Sequence, residues 1–288
     1  MATLKSIRKR IASVKNTQKV TRAMQMIAAA RLRRAQHAAL NARAYAKHAY
    51  EVALRIAAQS GAGAHPYLQT RKDVRVQEFL VLTSDRGLCG GFNENLVRQL
   101  ITEWKQVEEC GVRIHCTMIG RKGRDALKAR GHAVREAMVG FYEQIAMAKV
   151  LPVVESLAQR YLRGEVDHVV LVYNRFRSML AQDVTIEPLL PLVSTTKDQI
   201  SAVDYLYEPS KPEVVSRLLE RAVATRVYQA CLESIAGELA ARMTAMDSAT
   251  KNAKEMIAGL TMQLNRARQA SITRELLDIV NGAEALKK

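Results

Sequence analysis

The chain has 288 residues, 48% of them hydrophobic and 25% charged, which is enough to bury one or two cores, and no apolar run approaches the length that crosses a bilayer. Four cysteines, Cys89, Cys110, Cys116 and Cys231, show no C-x-x-C spacing, and their number suits a reducing compartment better than a disulfide framework. The net charge of +16 is concentrated at one end: residues 1 to 57 hold 13 Lys and Arg against the single acid Glu51.

From Met1 to Ser60 there is neither Gly nor Pro, so the sequence predicts one helix of roughly 85 Å. Leu4, Ile7, Ile11 and Val14 alternate at three and four residues, and Gln18, Thr21, Met24 or Gln25, and Ala28 continue the stripe. Lys5, Arg8, Lys9, Lys15, Lys19 and Arg22 gather on another arc, so the seam faces a partner helix while the charges face an acidic partner or solvent. A basic, acid-poor start resembles a transit peptide, but the helical pattern runs on for some sixty residues without interruption.

Ser60 to His65 (SGAGAH) and Pro66 end this rod. Strands are predicted at Glu78 to Thr83, Val112 to Ile119, His168 to Asn174 and, at an edge, Val184 to Leu190. Helices are predicted at Asn93 to Glu109, Lys122 to Arg130 and Tyr142 to Leu162. The alternation implies a small, mostly parallel, Rossmann-like sheet with helices on its faces. Asp204 to Pro212 (DYLYEPSKP) is a turn-rich connection into a second rod.

From Glu213 onward there is no Pro, and the only glycines are Gly237, Gly259 and Gly282, which predicts a second helix of roughly 110 Å. Its seam runs through Leu218, Ala222, Thr225, Gln229, Leu232, Ala236, Leu239, Met243 and Met246, then Ala253, Ile257, Leu260, Leu264 and Ala267. With an α/β segment between them, the rods most simply pair antiparallel in one intramolecular coiled coil. The fold expected is therefore α/β plus all-α, divided as a shaft helix over 1–60, an α/β domain and linkers over 61–209, and a second shaft helix over 210–288. Small and polar residues interrupt both seams, so hydrophobic stabilisation is modest and an enclosing partner is expected to stiffen the pair.

Candidate chemistry is sparse. TSDRGLCGGFN at Thr83 to Asn93 places a Gly-rich turn after a strand and before a helix, where phosphate loops sit. It lacks both the Gly-Lys-Ser/Thr ending of a P-loop and the G-x-G-x-x-G spacing, so a structural turn is the better reading. IGRKGRD at Ile119 to Asp125 is basic enough to hold an anion, but one short basic turn is better read as a solvated helix start. Cys89 would be a nucleophile only if a His and a carboxylate converged on it, which spacing does not show, and a buried small hydrophobe is the commoner fate of a lone Cys; the six histidines form no metal-ligand set. No catalytic, cofactor or metal site is expected.

Three stretches resemble one family over essentially the full length: IRKRIASVKNTQKVTRAMQMIAAARL at Ile7 to Leu32, TSDRGLCGGFN, and RARQASITRELLDIVNGAEAL at Arg266 to Leu286. The family is the gamma subunit of the F-type rotary ATP synthase, of bacterial type. The resemblance implies a non-catalytic central rotor shaft that couples ion flow through a membrane ring to conformational change at catalytic beta subunits. Its implied partners are a hexamer of alternating alpha and beta subunits, an epsilon subunit and the membrane ring. Its implied location is peripheral, on the cytoplasmic face of the cell membrane. Contact positions carried over by motif are Lys19, Arg22, Met24, Arg242, Arg268, Gln269 and Thr273 for the catalytic ring. For the foot, near epsilon and the membrane ring, they are Tyr205, Tyr207 and Glu208. The chloroplast-type insertion with its cysteine pair is not apparent.

Other classes fit less well. A nucleic-acid arm would keep its basic face along both rods, yet residues 213–286 hold nine basic and nine acidic residues. A membrane-surface helix would want Trp and Phe, and residues 1 to 60 contain neither. An enzyme built on the α/β segment lacks a constellation to work with.

Overall fold

The computed structural model describes residues 4–60, 65–71, 73–143, 145–192, 207, 208 and 210–285. The two rods are continuous helices, α1 over Leu4–Ser60 and α5 over Lys211–Ala285. Pro212 sits in the first turn of α5, where a missing N–H leaves no intrahelical bond unmade. The chain forms two compact units, residues 1–28 with 243–288, and residues 29–242, and both helices supply residues to each.

In the first unit the N-terminal part of α1 lies antiparallel to the C-terminal part of α5. The register is fixed by two cross-helix hydrogen bonds, Thr21 Oγ1 with Thr250 Oγ1 at 2.8 Å and Gln25 Nε2 donating to Asp247 Oδ1 at 3.0 Å. Every predicted seam position on this part of α1, from Leu4 to Ala28, is buried or half-buried, while Lys5, Arg8, Lys9, Lys15, Lys19 and Arg22 are exposed. The seam of α5 is likewise covered at Met243, Met246, Ala253, Ile257, Leu260, Leu264 and Ala267.

The second unit is built on a five-stranded sheet in the order β3-β2-β1-β4-β5. β1 (Val76–Leu82), β2 (Arg113–Ile119), β3 (Glu136–Met138) and β4 (His168–Phe176) are parallel, and β5 (Gln182–Leu190) returns antiparallel along the edge. α2 (Phe92–Glu109) and α3 (Arg121–Ala129) cover one face, over Phe79, Val81, Leu96, Leu100, Trp104 and Leu127. α4 (Met147–Leu162) covers the other, with α5, over Leu80, Leu82, Leu157, Leu171, Leu219 and Val227. β1 is buried along its whole length because it is central and covered on both faces, hence its unbroken apolar character.

The predicted elements are present, with two differences. β3 has no sequence signature because it is only three residues of half-exposed edge, paired to Thr117–Ile119. α4 begins at Met147 and not at Tyr142, because Phe141–Glu143 forms a separate 3₁₀ turn that buries Phe141 in the core. Most of the linker after Ser60, and residues 204–206 and 209 of the connection into α5, lie outside the described residues.

Within the second unit α1 carries a seam of small residues: Ala35, Ala39, Ala42, Ala46, Ala49 and Ala53 follow Leu32 at alternating three and four residues, and all are buried or half-buried. α5 is covered almost all round from Ala222 to Ala240, since it touches both α1 and the sheet domain.

Candidate functional site

A doubly wound sheet of this order normally receives its ligand outside the carboxyl ends of the strands, where the winding reverses, which here is between β1 and β4. That crevice is already filled. α5 passes across it so closely that a Cβ on Gly237 would stand 3.1 Å from the Phe92 ring and 3.3 Å from Gln182 Cγ. Arg242 donates to the Gly87 carbonyl at 3.2 Å and pairs with Glu238. Asn174, near the end of β4, donates to the Phe92 carbonyl at 3.3 Å.

The Gly-rich turn spends its polar groups on itself. Asn93 Oδ1 accepts from Ser84 N at 3.0 Å, Asn93 Nδ2 donates to Ser84 Oγ at 2.7 Å and to Cys89 Sγ at 3.3 Å, and Ser84 Oγ donates to the Arg86 carbonyl at 2.7 Å. Leu88 takes φ +64° to let the chain turn. Cys89 is buried, and burial pushes its thiol pKa up, the reverse of what a nucleophile needs.

The basic turn before α3 is also satisfied internally. Asp85 Oδ1 accepts from Arg121 N at 3.0 Å at the start of α3, and Asp85 Oδ2 accepts from Gly140 N at 3.1 Å, so the helix N-terminus already holds a carboxylate of the same chain. Gly120, at φ +107°, lies where a Cβ would stand 2.1 Å from the Thr83 carbonyl oxygen. The glycines of IGRKGRD serve this close approach of β1 to α3. Among the described residues no group of three or more His, Cys, Asp or Glu could hold a metal.

What remains accessible is outer surface. Lys19, Arg22, Arg268, Gln269 and Thr273 are exposed in the first unit, and Met24 is half-buried at the edge of the seam. In the second unit Arg242 has only 13% of its side chain exposed and braces the Gly-rich turn. Near it a cavity of about 520 Å³ is lined by Arg31, Arg34 and Arg86 with Asp85, Glu143 and Glu238. Tyr207 is half-buried with Lys211 Nζ 5.4 Å over its ring, Glu208 is exposed, and Tyr205 lies outside the described residues.

One exposed apolar surface was not read from the sequence. Extrapolating the register of the two cross-helix hydrogen bonds puts Leu4, the first residue of α1, about opposite residues 267–268 of α5. Among the described residues α5 therefore runs on to Ala285, about five turns, with no α1 beside it. Ile272, Leu276, Leu277, Ile279 and Val280 on this overhang are all exposed. The signal was present as apolar residues that leave the three-and-four rhythm after Ala267.

Comparison with known proteins agrees with this arrangement. The family described as ATP synthase matches residues 3–286. The ATP synthase gamma chain of Anaeromyxobacter sp. (strain Fw109-5) is 47% identical over 292 residues, covering 100% of both chains, and that of Geobacter metallireducens is 44% identical over 288 residues, again covering both. Among solved structures, a chain of the rotor of the Euglena gracilis mitochondrial ATP synthase superimposes with a TM-score of 0.66 at 19% identity, covering 93% of this chain and 98% of that one. A central stalk/c-ring chain of the Tetrahymena thermophila mitochondrial ATP synthase gives 0.62 at 22% identity, covering 80% and 99%. A polypeptide with paired terminal helices, a plugged α/β crevice and full-length identity to these relatives belongs to the family of ATP synthase gamma chains.

Proposed function

We propose that this chain is the central rotor shaft of an F-type ATP synthase. It couples ion flow through a membrane ring to conformational change at catalytic beta subunits, and contributes no active site of its own. The observation that carries this is the antiparallel helix pair of the first unit, whose seam is closed and whose outer face is charged on α1 and apolar at the end of α5. Among the described residues no helix is long and apolar enough to cross a membrane, and attachment to the cytoplasmic face of the cell membrane would be peripheral, through the complex. The division into 1–60, 61–209 and 210–288 is the corresponding functional reading: two shaft helices and a foot.

A single asymmetric rod inside a ring of repeated catalytic subunits touches each one differently, and so holds them in different conformations at one instant. Moving one site between mostly open and mostly closed takes about 5.5 kcal/mol of differential interaction, which several distributed contacts can supply. Lys19, Arg22, Arg268, Gln269 and Thr273 are the positions assigned to that ring in the first unit, with Met24 at the seam edge. Arg242, beside the cavity lined by Arg31, Arg34 and Arg86, is assigned to acidic segments of the beta subunits. The apolar part of the overhang needs an apolar collar, because an exposed patch of Ile, Leu and Val is otherwise an aggregation hazard. Tyr205, Tyr207 and Glu208 are assigned to the foot, with the epsilon subunit and the membrane ring.

The test is reconstitution with the partner subunits in sealed membrane vesicles. Arg268→Ala with Gln269→Ala is expected to lower ion pumping per ATP hydrolysed, and unchanged coupling would contradict the assignment of these two residues.

A further inference from the structure

A shaft must resist twisting where the α/β domain hands torque to its helices, and the seam inside the second unit is poorly suited to that task. From Ala35 to Ala53 the fully buried positions of α1, Ala39, Ala46 and Ala53, are alanines. Alanine knobs are shallow, so they let two helices approach closely but interdigitate little, and dispersion contacts of this kind are not directional.

Directional contacts are present in the same region and form one continuous chain. Glu187 on β5 accepts a two-pronged bond from Arg226 of α5, Nε to Oε1 at 2.8 Å and Nη2 to Oε2 at 2.6 Å. Arg175 of β4 shares Glu187 Oε2 at 3.3 Å. Arg226 Nη1 donates to Gln229 Oε1 at 3.1 Å, and Gln229 Nε2 donates to Glu233 Oε1 at 2.7 Å. That same oxygen accepts from Arg43 Nε of α1 at 3.0 Å, and Arg43 Nη2 closes the circuit on the Phe176 carbonyl at the end of β4, at 2.9 Å. Glu233 is fully buried and Gln229 nearly so, while the Arg43 side chain is 41% exposed. Sheet, α5 and α1 are thus tied pairwise by polar groups, most of them sheltered from water.

Such a network is a poor way to gain stability, since an apolar core of the same volume would do as well or better. What charged, bidentate bonds supply and alanine does not is a fixed register. We propose that Glu187, Arg226, Gln229, Glu233 and Arg43 act as a torque clamp: positioning residues that hold both shaft helices at one angle to the sheet while load passes between them. This rests on the rotor-shaft reading and assigns a further role within it.

The test compares Glu233→Gln and Arg226→Met with the parent chain, each assembled with the partner subunits in vesicles. Hydrolysis without an opposing ion gradient is expected to stay near the parent rate, while pumping fails at gradients the parent sustains. Amide exchange in α5 around residues 226–233 is expected to speed up about tenfold, equivalent to about 1.4 kcal/mol. Arg226→Lys, which keeps the charge but loses the fork, should fall between. Should the variants merely assemble in lower yield, with the assembled fraction pumping against the gradient like the parent, the clamp is overturned. Should the parent chain itself fail to restore coupled turnover to complexes lacking it, the shaft reading fails instead.

Discussion

At the scale of single residues, the α/β domain is held by a few positions with no freedom to change. Gly120 combines a positive φ with a Cβ position inside van der Waals contact of the Thr83 carbonyl. Gly120→Ala is expected to cost about 3 kcal/mol or more in urea unfolding, because both strain and displacement of β1 from α3 are required. Glu78, fully buried on β1, accepts from Thr117 Oγ1 at 2.6 Å and from Arg160 Nη2 at 3.0 Å. Arg160→Ala should cost roughly 3–5 kcal/mol, since it strips the nearest counter-charge from a buried carboxylate. Asp167 accepts from Arg71 at 2.5 Å and from the Arg75 and Val76 amides at 2.9 Å each. Burial opposes its charge, but these donors outweigh burial and hold its pKa below the ordinary 3.8. A depressed carboxyl contributes stability that is present above its unfolded value and lost as pH falls below it. Asp167→Asn should therefore lower stability at neutral pH and flatten the acid limb below about pH 4 in thermal melts.

At the scale of elements, the two helices differ in what their surfaces offer. The seam of α1 was legible from Leu4 to Ala28, because one buried stripe on an otherwise wet helix must follow the helical period, whereas its alanine continuation from Ala35 to Ala53 carries too little contrast to be read. The middle of α5 was legible only in part. Its predicted stripe is buried, but so is most of the rest between Ala222 and Ala240, and periodicity cannot announce a helix covered on all sides. The strands of the sheet stood out as short apolar runs, whereas β3 is too short to carry a pattern. The candidate site was legible mainly as an absence: the Gly-rich turn lacked phosphate-loop spacing, and the structure supplies the physical reason in the Asn93 bonds and in α5 lying across the crevice. Ala46→Leu, which adds three heavy atoms at a buried α1 position, should destabilise by roughly 1–3 kcal/mol in denaturant unfolding. Truncation after Ser271 should leave the melting temperature of the isolated chain essentially unchanged, since the overhang has no α1 beside it. The same truncation should weaken retention in the catalytic ring, read by co-purification with a tagged beta subunit.

At the scale of the whole molecule, the chain combines a charged surface with a strand-end crevice across which α5 passes. The basic excess lies on residues 1 to 57, and association with an acidic partner should therefore weaken steeply with salt. Of the four cysteines only Cys110 is exposed; Cys89, Cys116 and Cys231 are buried. Burial raises all three of their thiol pKa values, that of Cys231 to about 12. A maleimide should therefore modify Cys110 alone in the folded chain, which provides a natural handle on the α/β domain. The most direct test of the shaft is to attach a visible probe to that thiol, fix the assembled catalytic ring to a surface and supply ATP. The account predicts unidirectional rotation of the probe relative to the ring, stopping when ATP is removed. A probe that holds a constant orientation while the same complexes continue to hydrolyse ATP would contradict it.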